Sequence, residues 1–347
     1  MSIKKDYFSL TSGIKIYYEL CCSSSPSSSN LSTKIVMIMG AYATLRHFDE
    51  LVQYLVEHYP SSIEILTYDH RGIGHSKATT AATTIRETSN LLAHDAYQLI
   101  NHVWGDQAPV HVLGMSLGGM IAQELALLLI PEQRLLSLYL GITTRDAFSS
   151  AREWLFSSLF HTMHTSGVFH TLFRNIELVY ENNDLMSLYL GSYIRPLALL
   201  PKWVFSRIIL PYFGMKLDNE QMLRSLIPLI FNGIEEEEME ELIKKWSNDY
   251  DKWFIFQDID GCSHQNVIFH SHYLTDEHAQ QIKDARVSVT VQIAMQDKLI
   301  PPKKQQELAD LLNAKTVVMD HSGHMFNRQS RLKFSESVLQ HIQNATS

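Results

Sequence analysis

Cysteine is scarce: only three occur in 347 residues, and since Cys21 and Cys22 are adjacent, only Cys262 lies far enough away to bridge either. That excludes a disulfide framework and fits a reducing compartment. Long apolar runs are lacking too. No stretch reaches the roughly 18 to 20 apolar residues of a spanning helix, and the opening Met-Ser-Ile-Lys-Lys-Asp-Tyr-Phe has no apolar core behind its charges. A cytoplasmic chain without signal peptide or transmembrane segment is therefore expected. Basic charge is in the minority, with 29 Lys and Arg against 37 Asp and Glu and a formal net charge of -8, so nucleic acid is not an expected partner. No Gly-x-Gly-x-x-Gly follows the first parallel strand and no Gly-Lys-Ser/Thr occurs. Nucleotide cofactors lack their phosphate cradles, and no cofactor is expected.

What is present is a globular composition, 45% hydrophobic and 19% charged, long enough for one large or two ordinary domains at roughly 150 residues each. The first segment reads as a hairpin, Asp6 to Leu10 and Lys15 to Leu20 around a Thr-Ser-Gly turn, followed by a Ser-rich surface loop from Ser23 to Ser32. From Lys34 short apolar runs alternate with helix-length periodic segments, the pattern of βα units around a mostly parallel sheet. Strands are predicted at Ile35–Met39, Ile63–Tyr68, Val110–Met115 and Leu135–Leu140, with helices at Phe48–Tyr59, Asn90–Trp104 and Leu117–Leu129. The alternation resumes with strands at Val287–Met295 and Lys315–Met319 and helices at Pro302–Asn313 and Arg331–Gln343. Between the two parts, residues 145–285 have helical periodicity and read as an insertion, whose acidic run Glu235–Glu238 with Glu240 and Glu241 reads as a solvated helix face.

The most specific segment is Gly114-Met115-Ser116-Leu117-Gly118-Gly119, which sets Gly-x-Ser-x-Gly at a strand-to-helix junction. A serine on so sharp a turn sits in a strained backbone, and flanking glycines remove the Cβ atoms that would clash. Its hydroxyl is a poor nucleophile without a base, so a histidine oriented by a carboxylate is required downstream. Asp297 follows one resumed strand, and His321 and His324 follow the last. His324, next to Gly323 and deeper in its loop, is the preferred base. Asp297 is preferred as the acid over Asp146, which Thr143 and Thr144 separate from the strand at 135–140.

Together these segments resemble the α/β-hydrolase superfamily, in its serine hydrolase branch with a helical cap. The resemblance covers nearly all of residues 6–144 and 286–347, and includes Asp69-His70-Arg71-Gly72-Ile73-Gly74-His75-Ser76, similar to the family's Asp-x-Arg-Gly-x-Gly-x-Ser turn. In that turn Gly72 and Gly74 permit positive φ and Asp69 is placed to pair with Arg71. The resemblance implies an eight-stranded, mostly parallel sheet flanked by helices, a core of residues 1–144 and 286–347, and a mainly helical cap at 145–285. It implies catalysis by Ser116, Asp297 and His324, with the backbone N–H groups of Ala41 and Leu117 as the oxyanion hole. The family's oxyanion-loop His-Gly is Met39-Gly40 here, and its glycine three residues before the acid is Ala294. The cap exit, Gly261 to His272, is only weakly similar to the Gln-and-His helix of close relatives, so Gln265, His270 and His272 stay outside the expected site.

A serine where dehalogenases and epoxide hydrolases carry aspartate points to acyl transfer to water. The expected substrate is a small or medium lipophilic ester or related acyl compound, entering a channel to which Trp203, Phe205, Tyr212, Phe213, Leu226 and Phe231 contribute if they do not simply form the cap's own core. Carbon–carbon, thioester or amide cleavage by the same triad is the enzymatic alternative, and a hydrolase-like receptor or scaffold with little turnover the non-enzymatic one. Transient contact of the cap with a membrane surface is compatible with its apolar blocks. Neither His161-x-x-His164 nor His270-x-His272 has a nearby Cys or carboxylate in the sequence that completes a four-ligand set, so no metal is expected. Met39, Met115, Met295 and Met325 flank the proposed elements and read either as strand-end core or as an adaptable acyl pocket.

Overall fold

The computed structural model describes residues 1–23, 32–76, 88–146, 219–231, 234–248, 253, 265, 268 and 272–346. Eight strands form one sheet: β1 Ser2–Ser9, β2 Lys15–Cys22, β3 Thr33–Ile38, β4 Ile63–Tyr68, β5 Val110–Met115, β6 Leu135–Gly141, β7 Ser288–Ala294 and β8 Lys315–Met319. Their order is β1-β2-β4-β3-β5-β6-β7-β8. β1 to β2 and β2 to β4 are antiparallel, and every pair from β4 onward is parallel. The expected hairpin is β1–β2, turning at Gly13 with φ 83°.

Side chains alternate across a strand with period two, and a sheet covered on both faces therefore needs two apolar cores. On β3, Val36 and Ile38 enter one core, with Leu92, Ala96 and Leu99 of α2 (Ser89–Trp104) and Met120, Ile121 and Leu125 of α3 (Leu117–Leu129). Ile35 and Met37 enter the other, with Leu51 and Leu55 of α1 (Asp49–His58). The carboxyl-terminal helix, Arg328–Thr346, closes that second face through Phe334, Val338 and Ile342. Helix ends follow local chemistry: Thr88 Oγ1 accepts the Leu91 N–H at 3.1 Å to start α2, and Pro301 and Pro302 open the helix Pro302–Leu312.

Two described helices of the inserted stretch are α4 (Asn219–Ile230) and α5 (Glu236–Asn248). They build a third apolar cluster from Leu223, Ile227, Phe231, Leu242, Ile243 and Trp246, joined by Trp253. The acidic run is for the most part the solvated face expected, with Glu235, Glu236, Glu237, Glu240 and Glu241 exposed, and Glu238 is the exception. Glu238 is buried, accepts the Arg328 N–H at 2.6 Å and pairs with Arg331 at 2.7 Å, while Glu241 takes Arg328 at 2.6 Å. Acidic side chains on one helix here meet basic ones at the start of another, a pairing the local sequence does not announce. Helix α6 (Asp276–Asp284) also lies inside 145–285, yet Ala279 and Ile282 are buried in the first core cluster against α3. It packs as part of the core layer. The Ser-rich tract 24–31 and Trp203, Phe205, Tyr212, Phe213, His161, His164 and His270 lie outside the described residues, and nothing is described of the Leu226 side chain. Among the described residues no helix is long and apolar enough to cross a membrane. With the carboxyl-terminal pair numbered in order, Pro302–Leu312 is α7 and Arg328–Thr346 is α8.

Several histidines are sealed in this packing. His111 hydrogen-bonds Ser137 Oγ at 2.8 Å, His341 bonds Thr290 Oγ1 at 2.8 Å, and His272 bonds Ser89 Oγ at 2.9 Å. Burial pushes His111 down to about 4 and His272 and His341 down to about 3, against an ordinary 6.5. The unfolded chain therefore takes up these protons first as pH falls, so their contribution is complete above about pH 6.5 and drains away toward pH 3–4. Urea unfolding at pH 7.5 and pH 5 should show a loss on the order of a few kcal/mol at the lower pH, reduced by His111→Asn. Equal stability at both pH values would contradict it.

Candidate active site

The winding of the sheet fixes where a site can form. From β3 the chain steps outward to β4, then returns to place β5 on the other side of β3. Loops leaving neighbouring strands in opposite directions open a crevice at their carboxyl ends, where open α/β sheets hold ligands. Met39–Tyr42 leaves β3 there and Ser116 leaves β5. A Cβ placed on Gly40 would lie 3.1 Å from Ser116 Cβ and 3.6 Å from its Oγ. The two loops are thus in contact at the switch point.

Ser116 occupies the strained turn that its sequence predicts, at φ 53° and ψ -120°. Its N–H donates to Gly141 O at 2.9 Å and its C=O accepts from Thr143 Oγ1 at 2.7 Å, so the end of β6 holds the turn from both sides. Two glycines make the turn sterically feasible. A Cβ on Gly118 would strike Ile38 O and come within 2.5 Å of Met39 O, and one on Gly114 would lie 2.7 Å from Ala122 Cβ.

His324, following β8, accepts the Ser116 hydroxyl at Nε2 over 3.0 Å and donates from Nδ1 to Asp297 Oδ2 over 2.8 Å. The tautomer follows from the network: a carboxylate only accepts, which puts the proton on Nδ1 and leaves Nε2 free to accept. The Asp297 side chain is fully buried, and its Oδ1 accepts the N–H groups of Leu299 at 2.8 Å and Ile300 at 3.0 Å. Ser116, His324 and Asp297 therefore form one continuous hydrogen-bonded chain. The rivals stand apart. His321 is exposed, its carbonyl bonded to Asn327, and Asp146 is bridged to Tyr273 at the base of the insert.

Ala41 is half-buried directly after Gly40, and Leu117 is the first residue of α3. An N–H in the first helical turn has no intrahelical acceptor, so that of Leu117 is available at the positive end of the helix. The next residue, Tyr42, takes the left-handed region at φ 62° and donates its N–H to Gln265 Oε1 at 2.6 Å. Gln265, outside the expected site, is thus tied to the loop after β3, and its Nε2 is buried with no hydrogen-bond partner among the described residues.

The glycine turn after β4 differs in one particular from expectation. Gly72 and Gly74 do adopt positive φ, 72° and 50°, but Asp69 does not pair with Arg71. Asp69 accepts the N–H groups of Leu45 and His75, each at 2.9 Å, whereas Arg71 reaches Asp95 of α2 in a buried bidentate pair at 2.5 and 2.6 Å. Asp69 is occupied by backbone N–H groups, while Asp95 presents its carboxylate edge-on to the planar guanidinium. Met39 and Met115 are core residues, Met325 packs on the insert cluster, and Met295 is exposed, so the four do not line one pocket.

The sequence reading missed Gln305. It sits on α7 at a stripe position otherwise filled by Leu308, Ala309 and Leu312, and it is fully buried. A polar residue in an apolar stripe is the signal that marks it.

A family model described as the alpha/beta hydrolase fold matches residues 34–328. Solved structures of similar fold include an esterase from Exiguobacterium antarcticum, with TM-score 0.64 and 17% identity over 97% of this chain and 98% of that one. An enol-lactonase from Burkholderia xenovorans LB400 has TM-score 0.63 and 17% identity over 97% and 100%. A thermophilic esterase from Thermogutta terrifontis has TM-score 0.64 and 13% identity over 99% and 100%. At these identities the likeness is one of fold. Among curated proteins, none matches the chain.

The contact between Gly118 and the end of β3 yields a direct test. Gly118→Ala forces backbone apart and should lower stability by about 1–3 kcal/mol, read as a fall in thermal midpoint. An unchanged midpoint would mean that the two segments are not in contact.

Proposed function

Because the chain belongs to the α/β-hydrolase fold family and is an enzyme of hydrolase type, we propose that it cleaves a carboxylic ester or related acyl compound by serine catalysis. The observation that carries this reading is the hydrogen-bonded chain from Ser116 through His324 to Asp297, at 3.0 and 2.8 Å, mounted on a strained turn beside Gly40. As the Ser116 oxygen attacks the acyl carbon, its proton passes to His324 Nε2, and the Asp297 carboxylate stabilises the imidazolium through Nδ1–H. The oxygen of the tetrahedral intermediate takes hydrogen bonds from the Ala41 and Leu117 N–H groups. His324 then returns the proton to the departing alcohol, leaving an acyl-Ser116 ester. Water enters by the same steps in reverse order of roles, releasing the acid and restoring the serine. No cofactor or metal is needed for this sequence.

The inserted stretch 145–285, apart from α6, which packs with the core, serves in this reading as a lid that selects the substrate. Supporting it, the cluster built on α4 and α5 packs against Tyr42, Leu299 and Met325, one residue from each of the three loops that carry Ala41, Asp297 and His324. The Met325 N–H also donates to Ile230 O at 2.9 Å. An apolar body seated on all three loops favours a lipophilic acyl or alcohol group beneath it, and the esterases and the enol-lactonase of similar fold point to the same bond class.

Fluorophosphonate labelling of the folded protein should occur and vanish in Ser116→Ala. His324→Ala and Asp297→Asn should cut turnover roughly 10³- to 10⁴-fold. Labelling that persists in Ser116→Ala would refute the nucleophile. Across p-nitrophenyl esters from acetate to decanoate, kcat/KM should vary strongly with chain length, with a maximum at a small or medium acyl group. A flat profile would remove the lipophilic lid from the proposal.

A further inference from the structure

We propose that Gln305 is a positioning residue that fixes both the orientation and the charge of the Asp297 carboxylate, an inference that rests on the serine hydrolase reading above. Its amide is held without ambiguity. The Ala294 N–H donates to Oε1 at 2.9 Å, and because an N–H meets only an acceptor there, the other atom must be the NH2 group. Nε2 then donates to Ile300 O at 2.7 Å and to Asp297 Oδ2 at 3.0 Å. Gln305 thereby ties the last residue of β7 to the carboxylate and to the loop that carries it.

The choice of oxygen matters. Oδ2 is the atom that receives His324 Nδ1–H, so Gln305 and His324 share one acceptor. Leu299 and Ile300 N–H groups saturate Oδ1. Asp297 is thus clamped by three neutral donors and meets His324 as its fourth partner. Neutral donors orient the carboxylate and spread its charge without adding a positive charge that would compete with the imidazolium for it. A carboxyl in place of the amide, buried beside Oδ2, is held protonated and has a single proton for the two acceptors that the amide serves, and an apolar side chain leaves Oδ2 to the imidazole alone. Both changes strengthen the hold on the imidazolium and raise the pH at which His324 gives up its proton. The other charged groups on the packed elements are peripheral: Lys298 and His321 are exposed, and Lys304 on α7 is paired with Glu307 at 2.9 Å.

The experiment measures the rate of Ser116 labelling by a fluorophosphonate from pH 5 to 10 for the wild type, Gln305→Met and Gln305→Glu, with folding checked by circular dichroism. Gln305→Met keeps the length and bulk of the side chain, and Gln305→Glu keeps its shape, so the second decides if the first does not fold. The expected result is a wild-type profile rising to a plateau, with the rising limb moved up by about half a pH unit or more in each folded variant, and a plateau lowered about tenfold. An unmoved limb overturns the inference, even if the plateau falls, since packing damage alone lowers the plateau without changing the proton affinity of His324. Absence of Ser116-dependent labelling in the wild type would instead overturn the serine hydrolase reading, and the role of Gln305 with it.

Discussion

The close passage of the first turn of α3 across the end of β3 is the constraint on which the other features depend. Gly118 lies against the Ile38 and Met39 carbonyls, where no Cβ fits, and Gly40 returns from β3 to touch the Ser116 side chain. Backbone on backbone at this distance leaves Ser116 no choice but the left-handed, strained conformation it adopts. The strain is held by Gly141 and Thr143 at the end of β6, which bond the N–H and the C=O of the same residue. Three neighbouring strands of a parallel sheet therefore converge on one hydroxyl, and the loops after β7 and β8 bring the carboxylate and the imidazole to it.

Each of those loops is secured by a different device. The loop after β7 is locked from within, its two N–H groups and Gln305 gripping Asp297. The loop after β8 is held from above, with Met325 bonded to the end of α4 and Arg328 capped by Glu238 of α5. The loop after β3 is tied by Gln265 and by the packing of Tyr42 on the insert cluster. Ion pairs on the protein surface contribute little alone, but Glu238 is buried, and losing Arg331, its partly exposed partner, strips a buried carboxylate of that cation. The insert is thus fastened at the places where it meets the proposed chemistry.

Much of this arrangement is legible in the residues. Strands Ile63–Tyr68, Val110–Met115 and Lys315–Met319 and helix Leu117–Leu129 have the bounds that apolar runs and periodicity predict; the first two strands are buried on both faces and so are apolar over most of their length, whereas Lys315–Met319 is an edge strand largely open to solvent. Other ends drift by a few residues: the helix expected from Phe48 starts at Asp49 after a short 3-10 turn, and the last helix runs on to Thr346. Within the acidic run only Glu238 departs from a solvated face, because composition records charge but not its partner. Arg71 was misassigned for the same reason: Asp69 is near in sequence, but Asp95 is the carboxylate that the packing of α2 presents edge-on.

The sequence by itself determined the alternation of strand and helix, the glycines that permit a strained serine, and the order in which serine, aspartate and histidine leave their strands. These are local properties, written in steric and hydrophobic patterns that span a few turns of chain. The tertiary structure alone decided which side chains meet: His324 rather than His321 on Ser116, Gln305 on Asp297, Gln265 on Tyr42, Glu238 on Arg331. Such pairs join residues from separate segments, and their existence depends on distances and angles that only the closed packing of sheet, helices and insert fixes. A buried glutamine in an apolar stripe hints that a partner exists, but only the fold supplies it.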